Sequence, residues 1–138
     1  MVQMKAYGQS KTANIWMANE IERRYGAQGL HALSLHPGVI KTDLGRHVDK
    51  QKLEAMYDQL KHFQKTVPQG CATTVWAAIS PELEGKGGLY LESCHVAEKA
   101  ADGAQPGGEE PGYAEHAYSP QSESRLWALS ERLVGVQA

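Results

Sequence analysis

Cysteine is scarce in this chain. Cys71 and Cys94 are the two among 138 residues, too few for the disulfide framework of a small secreted domain. A reduced, cytoplasmic setting is the expectation that follows. No apolar run approaches the roughly 20 residues that span a bilayer. The opening Met1-Val2-Gln3-Met4-Lys5 lacks the apolar stretch of a secretory signal. An excess of one charge is also lacking. The chain has 14 Lys and Arg against 16 Asp and Glu, a formal net charge of −2, without the basic stripe of a nucleic-acid binder. Six histidines (His31, His36, His47, His62, His95, His116) show neither His-x-x-x-His nor a cysteine pair at zinc spacing, so no metal site is read. Gly85-Lys86-Gly87-Gly88 lacks the P-loop pattern and precedes a strand, which makes it a turn. There is no internal repeat.

What is present fits one globular domain: 41% hydrophobic and 22% charged residues. The first helix runs from about Ala6 to Tyr25, with Ala13, Ile15, Trp16, Met17, Ala18 and Ile21 apolar. Its Glu20, Glu22, Arg23 and Arg24 read as solvated, and Gly26 and Gly29 end it. Leu30 to His36 reads as a strand with both faces small or apolar, as in a parallel sheet, and Pro37-Gly38 stops it. Asp49 to Lys65 reads as one amphipathic helix with Leu53, Met56, Tyr57, Leu60 and Phe63 at helical spacing. A helix opening at Pro68 should bury Cys71, Ala72, Val75, Trp76 and Ile79 and end near Pro81. Gly88 to Ser93 is a second strand, and residues 97–118 form a surface loop rich in Gly, Pro and Glu. Ser119 caps a last helix with Pro120 at its first position, and Leu126, Trp127, Leu129, Leu133 and Val134 form its apolar side. Helices alternating with strands predict an α/β fold with a parallel sheet. Two strands are too few to make a covered parallel sheet, so the chain reads as part of a domain.

The pattern richest in chemistry is Tyr7-Gly8-Gln9-Ser10-Lys11. Residues four apart on a helix stand one above the other on one face. A phenol ordinarily titrates near pH ~10, and a neighbouring ammonium favours the phenolate. A phenol so placed can hand a proton to a carbonyl or take one from an alcohol. Taken alone, the same spacing also describes a surface tyrosine packed on a lysine stem. Further on, the turn Pro37-Gly38-Val39-Ile40-Lys41-Thr42 follows a strand, and ligands of open α/β sheets bind beyond strand carboxyl ends. The Thr42 hydroxyl suits a carboxamide or phosphate and equally suits a helix cap.

Three segments resemble the short-chain dehydrogenase/reductase family. Tyr7-Gly8-Gln9-Ser10-Lys11-Thr12-Ala13-Asn14 resembles its Tyr-x-x-x-Lys helix. His36-Pro37-Gly38-Val39-Ile40-Lys41-Thr42 resembles its Pro-Gly-x-x-x-Thr turn. The tail from Ser124 to Gly135 is similar to the retinol-dehydrogenase-like branch, and Gly88-Leu89-Tyr90-Leu91 stands where a late strand of the family falls. The resemblance implies the C-terminal part of a Rossmann-like doubly wound parallel sheet. It implies Tyr7 as general acid/base and Lys11 as the residue that favours its phenolate and holds the nicotinamide ribose. Pro37, Gly38, Val39, Ile40 and Thr42 would line the nicotinamide end of the cofactor, with Asn14 shaping the site.

The implied reaction interconverts a carbonyl and an alcohol with NADP, or NAD, as cofactor and a small apolar substrate. The helix at Asp49–Lys65 would cover that substrate with Met56, Tyr57 and Phe63, or simply pack. Only six residues precede Tyr7, so the N-terminal strands, the Gly-rich phosphate loop and the serine that polarises the carbonyl have no counterpart here. The expectation is a truncated chain, weak or inactive alone. The alternative is a non-catalytic remnant or an interaction module. The Ile15, Trp16 and Met17 face of the first helix is the expected seam of a homodimer.

Overall fold

A computed structural model describes residues 2–101 and 111–136, with side chains from Lys5 onward. The described residues form four α-helices interspersed with five short strands. In chain order they are α1 (Val2–Tyr25), β1 (Ser34–His36), β2 (Val39–Ile40), α2 (Lys50–Gln59), β3 (Gln64–Lys65), α3 (Val67–Ile79), β4 (Tyr90–Glu92), β5 (His95–Val96) and α4 (Pro120–Val134). The strands form a three-stranded sheet in the order β1-β4-β5 and a two-stranded parallel pair, β2-β3. The fold is therefore α/β with parallel pairing, as the helix–strand alternation predicts. The described residues divide into two compact units. The first draws on Met1–Ser34, Pro81–Tyr90 and Glu115–Ala138, the second on Leu35–Ser80 and Leu91–Ala114.

In the first unit α1 packs against α4. Ala18, Leu83 and Ala117 are buried there, and so are Asn19, Glu20 and Glu123. Glu20 is 3% exposed and Glu123 2%, so the reading of the Glu20–Arg24 stretch as a solvated face is corrected. The reason lies in the partners. Arg23 bridges Glu20 and Glu123, Arg24 Nε meets Glu20 Oε1 at 2.7 Å, and Asn19 Nδ2 donates to Glu123 Oε1 at 3.0 Å. A carboxylate is tolerated inside when it is paired and hydrogen-bonded. Glu123 also accepts from the Ser119 amide at 3.0 Å. Ser119 thus begins α4 as expected, but its hydroxyl bonds Ser122 Oγ instead of capping the helix, and the Glu123 carboxylate satisfies the end from inside the first turn. Trp16, on the expected dimer face, turns inward to donate to the His116 carbonyl at 2.9 Å, while Met17 stays exposed.

In the second unit the single helix expected over Asp49–Lys65 is broken. α2 ends at Gln59, a 3-10 turn follows at Lys61–Phe63, and β3 then pairs with β2 in the register Val39↔Gln64, Ile40↔Lys65. At the break Gln64 Nε2 donates to the Tyr57 carbonyl at 2.6 Å and satisfies an acceptor of the last helical turn.

α3 starts on a reciprocal cap. Gln69 N–H donates to Thr66 Oγ1 and Thr66 N–H donates to Gln69 Oε1, with Pro68 in the first turn. Its inward face differs from the one expected. Gly70 and Thr73 are buried, whereas Cys71, Ala72, Val75 and Ile79 are exposed, Ile79 at 74%. A methyl group at Gly70 would lie 2.7 Å from Ile40 Cδ1. At Gly70 the helix approaches β2 too closely for a larger side chain, so glycine faces in there while Val75 and Ile79 lie outside.

β4 and β5 form a hairpin (Leu91↔Val96, Glu92↔His95) whose two-residue turn, Ser93-Cys94, has φ of 46° and 59°. Paired left-handed residues match the right-handed twist of the strands. β5 is shorter than sequence periodicity can detect. Of the surface loop expected at 97–118, positions 102–110 lie outside the described residues. Its described ends hold a parallel bridge, Lys99↔Tyr113, and a 3-10 turn at Glu115–Ala117.

Candidate active site

Tyr7 and Lys11 lie in the first turns of α1, in the first unit. Helical spacing places Lys11 over the Tyr7 ring, its Nζ 5.1 Å from the ring centroid. Tyr7 is 48% exposed. Among the described residues neither the Tyr7 hydroxyl nor the Lys11 ammonium has a hydrogen-bonding partner. Ser10, between them, is spent locally, its hydroxyl donating to the Tyr7 carbonyl at 2.7 Å. Asn14, one turn on, is exposed.

Pro37 to Thr42 belong to the second unit. Pro37 and Thr42 are exposed, and Gly38, Val39 and Ile40 are half-buried. Val39 and Ile40 form β2, held by β3 and by the contact of Ile40 with Gly70. Gly38 has φ of +96°, a conformation open to glycine and strained for other residues, and a methyl group there would lie 2.6 Å from Lys65 Cδ. Thr42 Oγ1 accepts from the Leu44 amide at 3.3 Å and caps a 3-10 turn at Asp43–Gly45. Among the described residues the hydroxyl proton has no acceptor, so capping and binding are compatible in one side chain.

Met56, Tyr57 and Phe63 do not share one face. Tyr57 is buried with Lys41 Nζ 5.7 Å from its ring centroid, Met56 is exposed on α2, and Phe63 is exposed in the turn after it. The apolar cover expected of that helix is therefore corrected: the break at Gln59 moves Phe63 off the helix, and Tyr57 serves as core.

Sequence reasoning overlooked His36 and Lys65. The Gly38 N–H donates to His36 Nδ1 at 3.1 Å, and Lys65 Nζ donates to Ser93 Oγ at 2.9 Å after its stem crosses Gly38. Burial pushes the His36 imidazole below its ordinary titration range. The Glu92 carboxylate opposes that shift and the Lys65 ammonium adds to it. The signal for His36 was its place two residues before Gly38, the spacing of a side-chain acceptor closing a turn on a backbone amide. Lys65 offered no such signal, because its approach to Gly38 depends on the β2-β3 register. A groove of about 890 Å³ in the first unit, lined by Trp16, Arg125, Leu126, Leu129, Arg132 and Val136 among others, contains none of the residues with acid–base potential named above. Among the described residues there is no cluster that could hold a metal ion. No described helix is long and apolar enough to cross a membrane.

The chain is 48% identical over 134 residues to the short-chain dehydrogenase/reductase prx1 of Penicillium roqueforti, an alignment covering 96% of this chain and 38% of that protein. It is 43% identical over 141 residues to oxidoreductase calI of Penicillium decumbens (97% and 40%). It is 35% identical over 131 residues to the human WW domain-containing oxidoreductase (95% and 28%). The chain matches the C-terminal part of a short-chain dehydrogenase/reductase. No family model matches it. The chain spans about two fifths of the length of the first of these dehydrogenase/reductase relatives. Of the features expected from sequence, the Tyr7–Lys11 pair falls on α1, and the Pro37–Thr42 turn runs through β2 to the 3-10 turn that Thr42 caps.

Proposed function

We propose that this stretch carries the proton-transfer pair and the nicotinamide-side turn of an NAD(P)-dependent oxidoreductase that interconverts a small carbonyl and its alcohol. The observation that carries the reading is the Tyr7–Lys11 pair, with Lys11 Nζ 5.1 Å from the ring centroid and both polar ends free of partners among the described residues. The relatives named as oxidoreductases support it.

The donors present suit a dinucleotide. Lys11 offers an ammonium with no hydrogen-bond partner among the described residues, Thr42 a hydroxyl, and Pro37 to Ile40 a turn in which one residue lacks a Cβ. The nicotinamide, when bound, supplies or accepts the hydride, and orientation is the protein's part. Tyr7 Oη gives its proton to the carbonyl oxygen during reduction and takes the alcohol proton during oxidation. Lys11 stands beside the ring and would hold the ribose. Thr42 and the backbone of Val39 and Ile40 orient the carboxamide end. NADP is the preferred cofactor in this reading, with NAD the competitor.

The test is fluorescence titration of the folded chain with NADPH and NADH, with circular dichroism to monitor folding and a panel of apolar aldehydes and ketones to follow. Saturable binding with turnover upholds the reading. A folded chain that binds neither nucleotide overturns cofactor binding by this stretch on its own and favours the non-catalytic interaction module.

A further inference from the structure

We propose that His36 is the positioning residue of the Pro37–Thr42 turn: its neutral imidazole accepts the Gly38 amide and holds that turn closed, and protonation releases it. The inference rests on the reading of this turn as the cofactor-side segment, and extends it to a residue that touches neither cofactor nor substrate.

Three observations carry it. First, the Gly38 N–H donates to His36 Nδ1 at 3.1 Å, so Nδ1 must present a lone pair and the ring proton sits on Nε2. Second, Gly38 is the most constrained point of the turn, with φ of +96° and the Lys65 stem pressed where a Cβ would be. Glycine enters that conformation without strain, and the imidazole, two residues away, is the side-chain acceptor that fixes it there. Third, the surroundings oppose a second proton on the ring. Burial disfavours the imidazolium and the Lys65 ammonium of β3 repels it, while the Glu92 carboxylate of β4 draws it. Glu92 is itself engaged, accepting from the Gly112 amide at 2.7 Å and lying 3.7 Å from His95 Nε2. A proton placed on Nδ1 would face the Gly38 N–H donor to donor, and the anchor would be lost.

The spacing supplies its own control. An Asn or Asp side chain commonly accepts from the backbone N–H two residues on. His36→Asn therefore keeps an acceptor for Gly38 and removes the titration, whereas His36→Leu removes both. The first readout needs no cofactor: hydrogen exchange of the Gly38 amide in the full chain, followed by NMR from pH 7.5 to pH 5. In the unsubstituted chain Gly38 protection is expected to fall as His36 takes its proton. His36→Leu should exchange Gly38 about three- to tenfold faster at pH 7.5, the range expected for one net hydrogen bond. His36→Asn should restore protection and abolish its pH dependence. The second readout is the dissociation constant for NADPH and NADH across the same pH range, expected to weaken by the same factor in His36→Leu and to lose its acid limb in His36→Asn.

Gly38 exchange that is indifferent to His36→Leu overturns the proposal. If His36→Leu fails to fold, an acid limb of Gly38 exchange that persists in a folded His36→Asn overturns it equally. If the exchange results hold but no form of the chain binds nucleotide, the anchor stands and the cofactor reading falls. Nucleotide binding by all forms with unchanged pH dependence leaves the cofactor reading intact and overturns the positioning role.

Discussion

Glu123 of α4 accepts a hydrogen bond from Asn19 of α1 at 3.0 Å inside the first unit, and the Arg23 guanidinium bridges the same carboxylate to Glu20. The helix–helix contact is thus polar where the first turn of α4 meets α1. Hydrogen bonding to Glu123 holds Arg23 protonated even more firmly than usual, against the cost of its desolvation. The arrangement is asymmetric: the carboxylates are almost wholly buried, while the Arg23 side chain is 43% exposed.

That asymmetry predicts unequal losses. Arg23→Ala strips two buried carboxylates of their shared cation and should cost about 2–3 kcal/mol, less than a fully buried pair because the arginine is partly in water. Glu123→Ala leaves Arg23 free to turn outward and should cost about 1–2 kcal/mol. Urea unfolding of both variants checks the order. Equal losses, or a larger loss for Glu123→Ala, would show that the carboxylate and not the cation organises the contact.

Tyr7→Phe should separate chemistry from stability. The hydroxyl makes no hydrogen bond among the described residues and the side chain is half exposed, so the stability change should stay within about 0.5 kcal/mol. Removal of the proton donor should lower turnover by roughly 10²- to 10⁴-fold with nucleotide affinity retained. Steady-state kinetics on a carbonyl substrate reads it. Unchanged turnover would remove Tyr7 from the chemistry.

Chain punctuation was the most legible part of this fold. Tyr25 ends α1 where Gly26 and Gly29 predict, Pro120 opens α4, and Thr42 caps its turn, because each depends on a few neighbouring residues. Tertiary choices were not legible. Glu20 reads as solvated, and its burial comes with the packing of α4, whose Glu123 meets Arg23 from a hundred positions away. The inward face of α3 could not be read from hydrophobicity, since close approach to Ile40 selects Gly70 while Val75 and Ile79 lie outside. Two-residue strands such as β3 and β5 carry no periodicity, and only their partners define them. For the candidate site, motif spacing located Tyr7, Lys11 and the Pro37–Thr42 turn. It did not reveal Lys65, which reaches Gly38 only through the register of β3 on β2.

His36 also sets a pH dependence of stability. Its ordinary titration point is 6.5 and burial lowers it in the folded chain. Between those two values the unfolded chain binds a proton that the folded chain refuses, so folding weakens as pH falls. This contribution is complete above about pH 6.5 and is lost as pH drops through the folded value. Urea midpoints from pH 7.5 to pH 5 should slope downward toward acid, and His36→Asn should flatten the slope. Parallel slopes would show that other groups govern the acid limb.

Gly70 tests whether close approach, rather than helix propensity, chose the residue. Glycine inside a helix costs about 1 kcal/mol relative to alanine, so Gly70→Ala would stabilise α3 if space allowed. It does not, because the new methyl group would sit 2.7 Å from both Cδ1 and Cγ1 of Ile40. Overpacking of this kind costs about 1–3 kcal/mol and should outweigh the propensity gain. Ile40→Ala removes both clashing atoms. In that background Gly70→Ala should change sign and stabilise by up to about 1 kcal/mol. A double-mutant cycle by thermal or urea unfolding reads the coupling directly. Additive effects would mean that α3 can shift away from β2, and that the turn carrying Thr42 is less firmly backed than the contact of Ile40 with Gly70 implies.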